Sequence, residues 1–93
     1  MNEQTARRRA LESLRAVQRD FDAECVIMDE HTADFGWYWV YFWNSRRYLE
    51  TRNLDDALIG NAPVAVDKAT GEVHFTGTAF PVDYYLDEIR ARS

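Results

Sequence analysis

The sequence predicts an α+β domain: a four-stranded antiparallel sheet flanked on one face by an N-terminal and a C-terminal helix, in the order αββ-ββα. Three observations carry this. Apolar residues recur at helical spacing near both ends, an aromatic run in the middle alternates as a strand does, and a polar loop ending in glycine joins two further short apolar runs.

The first helix is expected from Asn2 to about Arg19. Ala10, Leu14, Val17 and Phe21 recur at steps of four, three and four, with Ala6 and Leu11 beside them. Asn2 or Thr5 caps the start, Glu3 sits near the positive end of the helix dipole, and Arg15 and Arg19 sit near the negative end. Glu24-Cys25-Val26-Ile27-Met28-Asp29 is a short apolar run bounded by acids and suits a first strand, with Glu30-His31-Thr32-Ala33-Asp34 as the turn into the next.

That next strand is Phe35-Gly36-Trp37-Tyr38-Trp39-Val40-Tyr41-Phe42-Trp43, where eight of nine residues are aromatic or β-branched and all three tryptophans sit. Gly36 allows a bulge or a close backbone approach. Alternation puts Phe35, Trp37, Trp39, Tyr41 and Trp43 on one face and Tyr38, Val40 and Phe42 on the other. Neither face is polar, so the strand belongs mid-sheet, one face on the core and the other partly covered or offered to a partner. Trp37, Trp39, Tyr41 and Trp43 together amount to roughly 600–1,000 Å² of ring surface, more than the roughly 300–600 Å² of a monomer's largest apolar patch, and are expected in the core. Tyr38, Val40 and Phe42, with Arg46, Arg47 and Tyr48 at the strand's end, are the expected contact surface for a partner or a second copy.

Asn44-Ser45-Arg46-Arg47 ends the run, and Tyr48-Leu49-Glu50 either extends the ladder or begins a long connection. The stretch 53–60 reads as a capped helical turn ending at Gly60. Pro63-Val64-Ala65-Val66-Asp67 and Glu72-Val73-His74-Phe75-Thr76 flank Lys68-Ala69-Thr70-Gly71, a loop whose length and terminal glycine suit a hairpin with Gly71 at positive φ. Pro81 opens the last helix, in which Val82, Tyr85, Leu86 and Ile89 share a face, Asp83 lies in the first turn and Arg90 and Arg92 in the last.

Ninety-three residues make one domain, 1–93, with room for one core. The charged fraction of 29% beside 46% hydrophobic residues, with only two prolines and four glycines, excludes a disordered chain. Nothing near Met1 resembles a secretory signal, no run is long enough to span a membrane, and Cys25 is the only cysteine, which together fit a reducing cytoplasm and no membrane partner. Net charge is −5, and Asp20, Asp22, Glu24, Asp29, Glu30 and Asp34 follow one another without a lysine or arginine between them. Such a block repels nucleic-acid phosphates and attracts basic protein. Arg46 and Arg47 beside exposed rings would suit RNA, but the overall charge opposes it.

Candidate chemistry is sparse. His31 and His74 are far apart, Cys25 sits in an expected strand, and neither histidine has a partner at a metal-ligand spacing, so no enzyme and no cofactor are expected. Asp29, Glu30, His31 and Asp34 match neither a calcium loop nor a zinc pattern and read as surface side chains without a ligand.

At Phe35-Gly36-Trp37, Asn44-Ser45-Arg46-Arg47-Tyr48-Leu49-Glu50-Thr51, Asp55-Asp56-Ala57-Leu58-Ile59-Gly60-Asn61-Ala62-Pro63 and the hairpin from Asp67 to Gly77, the chain resembles the YrhB-like or immunity protein 35 family of bacteria. Gly36, Trp37, Asn44, Tyr48, Gly60, Pro63 and Gly71 match its recurring positions, most of them turn or core types. The resemblance implies a small cytoplasmic α+β protein that neutralises a cognate toxin domain by binding it, with no catalytic residues to carry over. A chaperone-like or homo-oligomeric protein using the same apolar sheet surface is the alternative.

Overall fold

A computed structural model of the chain describes residues 2–18, 24–53 and 61–92. Helix α1 spans Glu3–Val17, and Asn2 caps it, its side chain accepting the Thr5 N–H at 2.9 Å. Ala6, Ala10 and Leu14 form its buried stripe. Two alanines in that stripe let the helix backbone approach the sheet, and Leu14 joins them in the same buried cluster. Phe21, expected to continue the stripe, lies outside the described residues.

The aromatic run does not form one strand. Strand β1 (Cys25–Ile27) leads through a 3-10 turn (Asp29–His31) to β2 (Ala33–Asp34), and after a turn at 35–37 come β3 (Tyr38–Tyr41) and β4 (Trp43–Ser45). The chain reverses at Phe35-Gly36-Trp37 rather than at 30–34. Gly36 has φ +82°, and the Asp34 carboxylate accepts its N–H at 2.8 Å. The two arms then pair as antiparallel ladders: β1 with β4, Ile27 opposite Trp43, and β2 with β3, Ala33 opposite Val40. Between those two pairs the first arm advances six residues and the second only three, and the three-residue turn Asp29–His31 absorbs the difference. The ladder is therefore broken into a two-stranded and a four-stranded sheet instead of a single four-stranded one.

Strands β5 (Val64–Asp67) and β6 (Val73–Phe75) complete the larger sheet in the order β2-β3-β5-β6, so β3 lies inside it as expected. Their hairpin closes as the sequence indicates. Gly71 has φ +77° and donates to the Asp67 carbonyl at 2.8 Å, while the Asp67 carboxylate accepts from Ala69 and Thr70 at 2.7 and 3.0 Å.

Two helices remain. The short α2 (Arg46–Thr51), which periodicity does not announce, starts because Ser45 Oγ accepts the Tyr48 N–H at 3.0 Å, and it stops at Arg52 in the left-handed region. Apart from Asn53, the helical turn expected over 53–60 lies outside the described residues. Helix α3 (Val82–Arg92) follows Pro81 as expected, but it does not share a face with α1. Tyr41, Trp43, Val64 and Val66 pack with Ala6, Ala10 and Leu14, whereas Tyr38, Val40 and Ala65 pack with Leu86. Since neighbours in a strand point to opposite faces, α1 covers one side of the larger sheet and α3 the other. The reason was already in the aromatic strand, which has no polar face to leave in water.

Candidate partner-binding surface

The structure separates the six residues expected to meet a partner. Tyr38 is 2% exposed and Val40 fully buried, both closed over by α3, so these two do not form an open face and that part of the expectation is corrected. Phe42 is half-buried and borders a hollow of about 260 Å³ with Met28 and His31. Arg46 and Arg47 are exposed and Tyr48 half-buried, all on α2, with the Arg52 guanidinium 5.8 Å from the Tyr48 ring.

Arg46 also borders a groove of about 630 Å³ between α1, β1 and α2, where Leu11, Val26 and Leu49 are among the apolar residues and Arg7 and Arg15 are further cations. Arg7 grips the Asp29 carboxylate with Nε at 2.8 Å and Nη2 at 3.0 Å, and Arg46 grips Glu24 through Nε and Nη2 in the same forked manner. These contacts lower the Glu24 carboxyl pKa and raise that of both guanidiniums. Cys25 lines the groove, but burial pushes its thiol up, the opposite of what a reactive thiolate requires.

Of the ring face expected in the core, Tyr41 and Trp43 are buried and Trp39 packs against the same cluster. The buried Tyr41 hydroxyl donates to Glu3 Oε2 at 2.6 Å, and burial followed by that carboxylate raises its pKa far above the ordinary phenol value. The Trp43 indole N–H donates to the Ala62 carbonyl at 2.7 Å. Trp37 departs from the expectation. It is 62% exposed because it sits in the turn rather than the strand, with the Arg90 guanidinium 4.1 Å from its ring centre.

Other exposed rings were missed from the sequence. Phe80 and Tyr84 are 55% and 45% exposed, with ring centres 4.6 Å apart, at the start of α3. The Tyr85 hydroxyl accepts the N–H groups of Ala79 and Phe80, both at 3.2 Å, and thereby holds the approach to the helix. Gly77 makes room for this, since a Cβ there would lie 2.4 Å from the Tyr85 ring. The available signal was that Tyr84 falls outside the stripe Val82, Tyr85, Leu86 and Ile89.

Two of the three acids between β1 and β3 are used in ion pairs: Asp29 with Arg7, and Asp34 with Lys68 Nζ at 2.6 Å, whose ammonium also lies 4.9 Å from the Trp39 ring centre. Among the described residues no helix is long and apolar enough to cross a membrane.

The family described as Immunity protein 35 matches residues 4–88. The chain is also 39% identical over 69 residues to the uncharacterized protein YrhB of Escherichia coli (strain K12), a match covering 74% of this chain and 71% of that protein. No solved structure matches. With a family match running through nearly all of α1, both sheets and most of α3, the chain belongs to the immunity protein 35 family.

Proposed function

We propose that this protein neutralises a cognate bacterial toxin in the cytoplasm by binding the toxin domain directly, without chemistry of its own. The observation that carries the reading beyond family membership is the display of Phe35, Trp37, Phe75, Phe80 and Tyr84 on the surface of so small a chain. Rings held outside the core cost free energy in water and are the residue types that dominate protein interfaces. Arg46, Arg47 and Tyr48 on α2, with Phe42 nearby in sequence, add guanidinium and aromatic groups suited to a protein contact.

The test is co-expression with the toxic domain encoded by the neighbouring gene. Rescue of growth together with a stoichiometric complex is the expected result. A protein that suppresses aggregation of unrelated clients equally well and forms no defined complex with that domain would instead favour a chaperone-like role.

A further inference from the structure

We propose that the outward face of α3 is a contact surface for a basic partner domain, with Phe80 and Tyr84 as its anchor and Asp83, Asp87 and Glu88 as its steering charges. The inference rests on the toxin-binding reading above and adds the chemistry of the partner. Val82, Leu86 and Ile89 turn α3 toward the sheet. By helical spacing, Tyr84, Asp87, Glu88 and Ala91 then occupy the opposite side, with Asp83 at its shoulder, and all five are exposed.

The rings of Phe80 and Tyr84, tilted 36° to one another, are held by their own contact and by the Tyr85 hydroxyl, so a partner need not order them on arrival. The charges say what covers them. None of Asp83, Asp87 and Glu88 forms an ion pair among the described residues. The nearby cations are engaged elsewhere, Arg90 against the Trp37 ring and Arg92 toward the Glu88 backbone carbonyl. Exposed rings beside carboxylates that no cation among the described residues neutralises, Glu88 being met only by the Tyr84 hydroxyl, complement lysine and above all arginine, whose planar group can lie on a ring and meet a carboxylate together. A surface of this sign repels nucleic acid, which leaves a basic protein as the occupant.

The experiment measures association and dissociation of the parent protein with the neighbouring gene's toxin domain at low and high ionic strength. The parent should associate more slowly as salt rises. The variant Asp83→Asn, Asp87→Asn, Glu88→Gln should melt like the parent, associate about tenfold or more slowly at low salt, lose most of the salt dependence and dissociate at nearly the parental rate. Phe80→Ser should chiefly speed dissociation, by about tenfold or more. A parent whose association ignores salt, or variants that retain its rates while the parent still protects cells, would overturn the α3 assignment and leave toxin binding standing. A parent that forms no complex with the toxin domain would overturn both.

Discussion

Replacing Leu86 by alanine should loosen one side of the molecule and leave the other standing. Leu86 is 5% exposed and is the buried residue of α3, resting on Tyr38, Val40 and Ala65. The substitution removes three carbons, at ~0.8 kcal/mol each about 2.4 kcal/mol of burial, and any cavity left behind adds to it within the ~2–5 kcal/mol range of such changes. For a domain of this size, about 2.4 kcal/mol corresponds to a fall in Tm of roughly 10–20 °C if the loss is global. It need not be fully global. The core around Tyr41, Val64 and Val66 is covered by α1 and does not include Leu86, so α3 can undock while the β3–β5 ladder persists. The assay is amide hydrogen exchange with thermal denaturation, comparing Leu86→Ala with Leu14→Ala from the α1 side. Leu86→Ala should speed exchange across 82–92 far more than in β3 and β5, whereas Leu14→Ala should speed all of them. Equal acceleration everywhere in both variants, or a Leu86→Ala protein with parental Tm and exchange, would refute the two-sided account.

Gly71→Val places a β-branched residue at φ +77° and should destabilise by at least ~1–2 kcal/mol, measured by urea denaturation; an unchanged midpoint would remove the strain argument. Tyr41→Phe deletes a buried hydroxyl that donates to Glu3 and should cost about 1.5–3 kcal/mol in the same assay. The Asp34 carboxyl is held below its ordinary value, first by the Lys68 ammonium and then by the Gly36 N–H. A depressed carboxyl pKa contributes stability above the unfolded-state value near pH ~4 and loses it as the pH falls through the folded value. Asp34→Asn should accordingly lower Tm at neutral pH and converge with the parent in acid, which a Tm-against-pH series checks.

Much of the fold was legible because it is written in local rules. Ala6, Ala10 and Leu14 share one face of a helix whatever surrounds it, and Asp67 and Gly71 close a hairpin by their own backbone preferences. The rest depends on partners far along the chain. Helix α2 has only six residues and none buried, so no apolar period betrays it, and Ser45 alone marks its start. Which face α3 takes could not be read from its stripe, because Val82, Leu86 and Ile89 would fit either side of a strand apolar on both. That one undecided side accounts for Tyr38 and Val40 being assigned to an open surface. Arg46, Arg47 and Tyr48, expected at a strand's end, stay together because they are consecutive, but on helix α2. Strand alternation extended through Gly36 puts Trp37 in the core, but the chain reverses there.

The 3-10 turn between β1 and β2 sets a rule for length changes. Because it holds an odd number of residues, the side-chain phase before it is opposite to the phase after it: Ile27 and Asp34 point to the same side, although they are seven positions apart. Deleting all of Asp29, Glu30 and His31 would set Thr32 opposite Tyr41 and continue the register of Ile27 opposite Trp43 straight into Ala33 opposite Val40. The two sheets could then share one unbroken first strand, at the loss of the Arg7–Asp29 pair. Deleting only one of the three would leave two extra residues between the Ile27–Trp43 and Ala33–Val40 pairs, so the ladder would stay broken. In this stretch the larger deletion is the gentler one, because it alone leaves no residue to loop out.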